Sequence, residues 1–181
     1  MKDAPLYDLL KQASINTDNQ LMALSYSICK YCPYTGRSIG TYIMFYQCGS
    51  IDHGTNVPVP VAKSIAESEY NAVCTARIAL AHFRVLIHEL LNKDLDIVPE
   101  EAPLIILDIK SSVCMAKNVK DTNHTRHIVR RLNFVRDGEK YKMHRIDWCK
   151  GGLQLAYIAT KNVGEIELNP RIKYIMVSID K

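Results

Sequence analysis

Glu69 and Asp108 are the two carboxylates in this chain whose positions suggest chemistry. Glu69 lies in Ala66-Glu67-Ser68-Glu69-Tyr70-Asn71-Ala72, near the start of a long helical pattern. An acid there is either a site residue or a plain surface glutamate favoured by the helix dipole. Glu67 fits the plain reading more readily, because it stands three residues after Ser64 and completes a capping box. Asp108 ends the apolar run Leu104-Ile105-Ile106-Leu107 and precedes a helical segment. The C-terminal edge of a central strand is where α/β folds place ligand sites. The same aspartate can also cap the helix that follows.

The cations cluster too. Lys117, Lys120, Arg126, His127, Arg130, Arg131 and Arg136 crowd one segment, and Lys140, Lys142, His144 and Arg145 another. Such groups can track phosphates; a solvated helix face is the plainer reading. The net charge of +4 is only mildly basic and says little about partners. Among six cysteines only Cys29-x-x-Cys32 has metal-ligand spacing, and a zinc site needs two further ligands that the sequence does not offer nearby. The cysteines therefore read as free thiols of a reducing compartment, several of them buried.

The elements that must position these residues follow from pattern. Residues 4–14 read as a short helix and 16–19 as a turn. Leu21–Ser27 and Ile39–Gln47 read as strands, the second rich in Ile, Tyr and Phe. Cys48-Gly49-Ser50 and Asp52-His53-Gly54 read as turns. Val57–Val61 reads as a third strand, confined to an edge by Pro58 and Pro60. Ser64–Asn92 is the strongest helix, with apolar residues at helical spacing from Ala72 to Leu91. After an acidic loop over 94–103 come a strand to Asp108, helices over 111–117 and 125–136, a strand over 141–148, and a helix over 153–161. This order is mixed α/β: an antiparallel meander followed by crossover units. At 181 residues and 48% hydrophobic, the chain has the makings of one well-filled domain. No apolar run reaches membrane-spanning length, and the N-terminus lacks the apolar core of a signal peptide. The expectation is a soluble intracellular protein, cytoplasmic or nuclear, without membrane contact.

Four motifs in order carry more than any one of them. Glu69-Tyr70-Asn71-Ala72 is followed by Leu104–Asp108, then by Thr125-Arg126-His127-Ile128, and then by Gln154-Leu155-Ala156-Tyr157-Ile158-Ala159-Thr160-Lys161. Upstream stands Arg37-Ser38-Ile39-Gly40-Thr41-Tyr42. Together they resemble the ribonuclease H domain that ends the Pol polyprotein of Ty1/copia-type retrotransposons. The resemblance spans roughly residues 21–165. It implies a connection from the reverse transcriptase region over 1–20 and a C-terminal tail over 166–181. The implied fold is ribonuclease H-like, a five-stranded mixed sheet flanked by helices.

The implied reaction is hydrolysis of the RNA strand of an RNA–DNA hybrid by two divalent metals, Mg2+ or Mn2+. Members hold the metals with an aspartate on the first strand, a glutamate on the first long helix, an aspartate ending the fourth strand and an aspartate late in the domain. Glu69 and Asp108 match the second and third, as catalytic and metal-binding residues. Tyr26 stands at the first position, in Ser25-Tyr26-Ser27-Ile28-Cys29, and Tyr157 at the fourth. A phenol titrates near about 10 and is a poor magnesium ligand. Each lost carboxylate–metal pair is worth on the order of 4 kcal/mol, so metal binding is expected to be weak and nuclease activity little or none. Arg126, Arg130 and Lys161 are the expected phosphate contacts; His127 is either a further contact or a buried structural histidine. The implied partners are RNA–DNA hybrid or other nucleic acid and the reverse transcriptase part of the same polyprotein. Three functions remain open: a degraded nuclease, a non-catalytic nucleic-acid-binding domain, and a transposon relic.

Overall fold

The computed structural model describes residues 11, 21–46, 49–58, 61–90, 102–117, 128–160, 164, 168–169, 171–172 and 175. Strands β1 (Leu21–Ile28), β2 (Ile39–Tyr46) and β3 (Gly49–Asn56) lead into helix α1 (Ile65–Leu90). Strand β4 (Leu104–Leu107), helices α2 (Lys110–Lys117) and α3 (Val129–Lys140), strand β5 (Arg145–Trp148) and two 3-10 turns, Gly151–Leu153 and Leu155–Ala159, follow. The sheet order is β3-β2-β1-β4-β5. β1 pairs antiparallel with β2 and parallel with β4, and β4 is parallel to β5. This is the expected five-stranded mixed sheet.

The sheet is covered on both faces, so its central strands read as continuous apolar runs rather than alternating ones. Leu21, Ala23, Ile105 and Leu107 point to one face, where they meet Tyr70, Val73, Ala76 and Leu80 of α1 and Leu132 and Val135 of α3. Met22, Leu24, Leu104 and Ile106 point to the other, against Leu155, Ala156 and Cys149. α1 crosses β2 so closely that a Cβ on Gly40 would stand 2.9 Å from the Cβ of Ala72. That approach brings the first turns of α1 down to the end of β1.

The helix start is as expected, with one change. Ser64 Oγ accepts the Glu67 N–H at 3.1 Å, but Glu67 Oε2 takes the N–H of Lys63, at 2.8 Å, rather than that of Ser64. Among the described residues no helix is long and apolar enough to cross a membrane.

Four expected elements are corrected. The third strand is Gly49–Asn56, through residues that read as turns, and Val57 and Pro58 lie beyond it. Tertiary pairing outweighs local propensity there. Tyr42 donates to Asp52 Oδ2 at 2.9 Å, Thr41 donates to the Gly54 carbonyl at 2.9 Å, and Gly54 leaves room for the Tyr42 ring. α3 does not stop at Arg136 but runs through Gly138 to Lys140. β5 starts at Arg145, not Tyr141, because the N–H groups of Tyr141, Lys142 and Met143 are taken by the last carbonyls of α3. Lys142 adopts φ 54° in that turn. The final helix is replaced by the two 3-10 turns, with Gln154 extended between them. The helix expected over 4–14 lies outside the described residues apart from Lys11, as does the loop over 94–103 apart from Ala102 and Pro103.

Candidate functional site

The ends of β1 and β4 build the site. Leu24 pairs with Ile106 across the parallel strands. Tyr26 and Asp108 are each two residues further on, so they are neighbours at the C-terminal edge. α1 is fastened to the same edge. Glu69 Oε1 accepts the Ser27 N–H at 2.7 Å, and the Ser27 hydroxyl donates to Ser68 Oγ at 2.7 Å. Tyr157 arrives on the second 3-10 turn. Its ring meets that of Tyr26 edge to face, with centroids 5.7 Å apart and planes at 62°. The four sequence-predicted positions Tyr26, Glu69, Asp108 and Tyr157 are thus brought together from points far apart in the chain.

Gln154 explains why Tyr157 lands there. Its buried amide donates to the Ser25 carbonyl at 2.9 Å and to the Ile106 carbonyl at 3.3 Å. Its Oε1 accepts the Ala156 N–H at 3.4 Å. One side chain therefore clamps the 3-10 turn to both strands. Thr160 closes the turn by donating to the Tyr157 carbonyl at 2.9 Å. The guanidinium of Arg171 lies 5.3 Å from the outer ring of Tyr157.

Burial dominates the electrostatics. Glu69 is fully buried, which excludes the surface reading. Burial first, and the charge of Asp108 second, push its carboxyl up to about 8, against the hydrogen bonds from Ser27. It therefore holds its proton at pH 7. Asp108 is also raised, by burial. Burial, then Asp108, Glu69 and Tyr157, push the Tyr26 phenol up to about 12. Asp108 does not cap α2, which starts at Lys110. Its carbonyl instead accepts the Trp148 indole N–H at 2.8 Å, and Lys110 Nζ sits 4.3 Å over that indole.

A divalent metal pair does not fit these residues. Two carboxylates face two aromatic rings, and burial holds the Glu69 carboxyl up toward its neutral form. Glu69 Oε2 and Asp108 Oδ1 are buried without a hydrogen-bond partner among the described residues, which leaves two oxygens where two cations need many more. No cluster of three acidic, histidine or cysteine side chains suited to a metal occurs among the described residues. Asp52 is engaged by Tyr42 on the edge strand, and exposed Asp147 accepts the N–H of Trp148, so neither adds an acid to this cluster.

Of the expected nucleic-acid contacts, Arg130 is exposed on α3. Arg126, His127 and Lys161 lie outside the described residues. The sequence reading missed an open cleft of about 450 Å³ beside Tyr26, lined by Ser27, Cys29, Lys30, Lys63, Ser64 and Ile65. Lys30 and Lys63 come from separate loops, and no spacing signal joins them. Gln154 opens the last of the ordered motifs, but the sequence assigned it no role, since its partners Ser25 and Ile106 are far away in the chain.

No family model matches the chain, and no curated protein matches it. Solved structures do. The ribonuclease H1 of the halophilic archaeon Halobacterium salinarum superposes with a TM-score of 0.52 at 14% identity, covering 78% of this chain and 94% of that one. LC11-RNase H1, isolated from compost by a metagenomic approach, gives 0.52 at 8% identity over 87% and 93%. The N-terminal RNase H domain of a Mycobacterium tuberculosis protein gives 0.50 at 9% over 84% and 96%. At such identities the likeness establishes the fold, and the fold is that of ribonuclease H.

Proposed function

We propose that this domain, built on the ribonuclease H fold, is the ribonuclease H portion of a copia-type retrotransposon Pol polyprotein whose two-metal centre is closed, and that it holds nucleic acid without cutting it. The observation that carries the reading is the edge-to-face contact of Tyr26 with Tyr157. Two aromatic rings meet at two of the four positions where the resemblance expects metal carboxylates. A working centre would use its metals to activate water and to stabilise the leaving oxygen. This chain's own residues do neither. Glu69 is neutral at pH 7 and hydrogen-bonded to the backbone of Ser27, so it is a weak base and a weak ligand. Tyr26, pushed to about 12, offers only a neutral phenol.

What remains is binding. Exposed Lys30 and Lys63 flank the cleft beside the closed centre, and Arg130 adds an exposed cation on α3. Arg126, His127 and Lys161 complete the proposed contact set. Phosphate contacts of this kind carry affinity but no sequence preference. A reverse transcriptase region of the same polyprotein is the proposed covalent partner.

The test uses a labelled RNA–DNA hybrid with Mg2+ or Mn2+. The chain is compared with a double variant, Tyr26→Asp plus Tyr157→Asp. The expected result is salt-dependent binding without cleavage by the chain, and cleavage by the double variant. Cleavage by the unaltered chain would overturn the reading, because another acid must then complete the centre. Absence of binding at low salt would remove the nucleic-acid role and leave a relic.

A further inference from the structure

A second surface lies at the end of the sheet away from the closed centre. β5 runs parallel to β4, and its last residue, Trp148, reaches the Asp108 carbonyl. Arg145, its first residue, therefore lies about 10 Å back along the strand. α1 gives the same separation, since Arg84 stands about 22 Å along the helix from Glu69. Arg84 Nη1 donates to the Met143 carbonyl at 3.5 Å, so α1 meets the turn between α3 and β5 there. That turn is tight. The Met143 N–H donates to the Gly138 carbonyl at 2.8 Å, and Lys142 is left-handed at φ 54°.

Three large side chains stay in solvent at this surface: Phe134 is 41% exposed, Met143 45% and Tyr141 65%. Single exposed apolar residues need no explanation. These are grouped. The Arg77 guanidinium lies 3.6 Å from the centre of the Phe134 ring and donates to the Met143 sulfur at 3.7 Å. Arg77 is itself buried, so it backs the inner face of Phe134 and leaves the outer face to solvent. Tyr141 stands two helical turns on from Phe134, about 10 Å away along the same face, with Lys140 Nζ 5.2 Å from its ring. Gly138 puts no side chain between the two rings. Lys140, Lys142 and Arg145 are exposed and alternate with Tyr141 and Met143 along the chain. With Arg84 they make four cations against two acids, Asp137 and Glu139.

We propose that this surface binds single-stranded nucleic acid, with bases stacked on Phe134 and Tyr141 and phosphates held by Lys140, Lys142 and Arg145. The excess of cations selects a polyanion. The rings select among polyanions, because every unpaired base offers a π face, and stacking on an aromatic side chain holds it whatever its sequence. A cation beside each ring adds to that attraction. A duplex keeps its bases stacked inside, so it would use the cations and leave the rings idle. An acidic protein segment would match the cations, but it carries no flat bases for two rings that stand apart over a residue without a side chain. The surface lies away from the closed centre and does not rest on the function proposed there.

The test titrates the full chain into a fluorescent oligothymidylate about 12 nucleotides long and follows its anisotropy. Binding should weaken with salt, with a log–log slope of about −2 for three phosphates. Tyr141→Ala should weaken it about tenfold, and Tyr141→Phe, which keeps the ring, should stay within about twofold. Lys142→Gln should flatten the slope by about 0.7. Both positions are exposed, and matching thermal melts verify that the variants fold. An oligonucleotide carrying iodouracil, irradiated on the chain, should leave its adduct on the peptide holding Phe134 or Tyr141. The proposal is overturned by absence of binding at low salt, by adducts on other peptides alone, or by full affinity in Tyr141→Ala. Loss in Lys142→Gln without loss in Tyr141→Ala would show a surface that takes any polyanion, an acidic protein segment included, and overturns it too. RNA–DNA hybrid is titrated separately, so that a failure there strikes the role of the closed centre and not this surface.

Discussion

At the start of α1, Glu69 is buried against Asp108 and the end of β1. Two turns further along the same helix, Arg77 is buried beneath Phe134, Met143 and His144. The two buried groups meet the cost of leaving water in opposite ways. A carboxyl can take up a proton, and Glu69 does so, pushed to about 8. A guanidinium cannot discharge. Arg77 therefore keeps its charge and is supplied with partners: the Phe134 carbonyl, the Met143 sulfur at 3.7 Å and the Phe134 ring at 3.6 Å. Its neighbour pays instead, since burial and then the Arg77 charge hold His144 down at about 4. The comparison separates a cluster where the buried charge itself is given partners, with the cost falling on His144, whose two ring nitrogens have no hydrogen-bond partner among the described residues, from a site where the buried acid takes up a proton instead.

The largest effect expected follows from how tightly the Arg77 cluster is closed. A Cβ on Gly138 would fall inside van der Waals contact of the His144 ring and of Arg77 Nε. Gly138→Ala should therefore lose about 3 kcal/mol in urea denaturation, despite the higher helix propensity of alanine. A loss under about 0.5 kcal/mol would show that His144 moves aside freely, and the contrast with the Glu69 site would fail.

The next effect is a pH profile with two limbs. Folded Glu69 keeps its proton to about pH 8, while an ordinary glutamate releases it near 4.5. The folded state then binds the extra proton, so stability falls as pH rises across that window. His144 has the opposite sign. Unfolded it protonates near 6.5 and folded only near 4, so stability falls as pH drops between those values. Where the windows overlap, the slopes oppose each other and stability is level. Above pH 6.5 the Glu69 limb stands alone, at up to about 1.4 kcal/mol per pH unit. Urea midpoints should therefore fall from pH 6.5 to pH 8 in the unaltered chain and stay flat in Glu69→Gln. A slope that persists in Glu69→Gln would place its cause elsewhere in the molecule.

The same contrast explains what the sequence disclosed. α1, β1 and β4 were legible because their burial is written locally: helical spacing from Ala72 to Leu80, and uninterrupted apolar runs in strands covered on both faces. The gathering of Tyr26, Glu69, Asp108 and Tyr157 was legible through ordered motifs. The fate of Glu69 as a buried, neutral acid was not, because a glutamate in a first helical turn reads equally well as a surface residue. β3 was illegible because Gly49, Asp52 and Gly54 are turn residues until Tyr42 and Thr41 of the adjacent strand engage them. The third helix was expected to end at Arg136, short of Gly138, and nothing nearby in sequence reveals that His144 and Arg77 need the missing side chain of Gly138. Gln154 likewise acts on Ser25, 129 residues away.

The smallest effect concerns the two rings that close the site. If Tyr26 and Tyr157 form a packed unit, they should couple energetically in the absence of any metal. A double-mutant cycle with Tyr26→Ala, Tyr157→Ala and both together, read from urea midpoints, isolates that contact from whatever else each ring touches. Edge-to-face pairs at this centroid separation contribute about 1 kcal/mol beyond the area they bury. A coupling of that size means that the tyrosines stabilise the site they close, so a single substitution, Tyr157→Asp, would lose the contact and place a third acid beside Asp108 and Glu69. A coupling near zero means that the rings are incidental neighbours. The site would then resist metals only through its small number of carboxylates, with no structural barrier to adding acids one at a time.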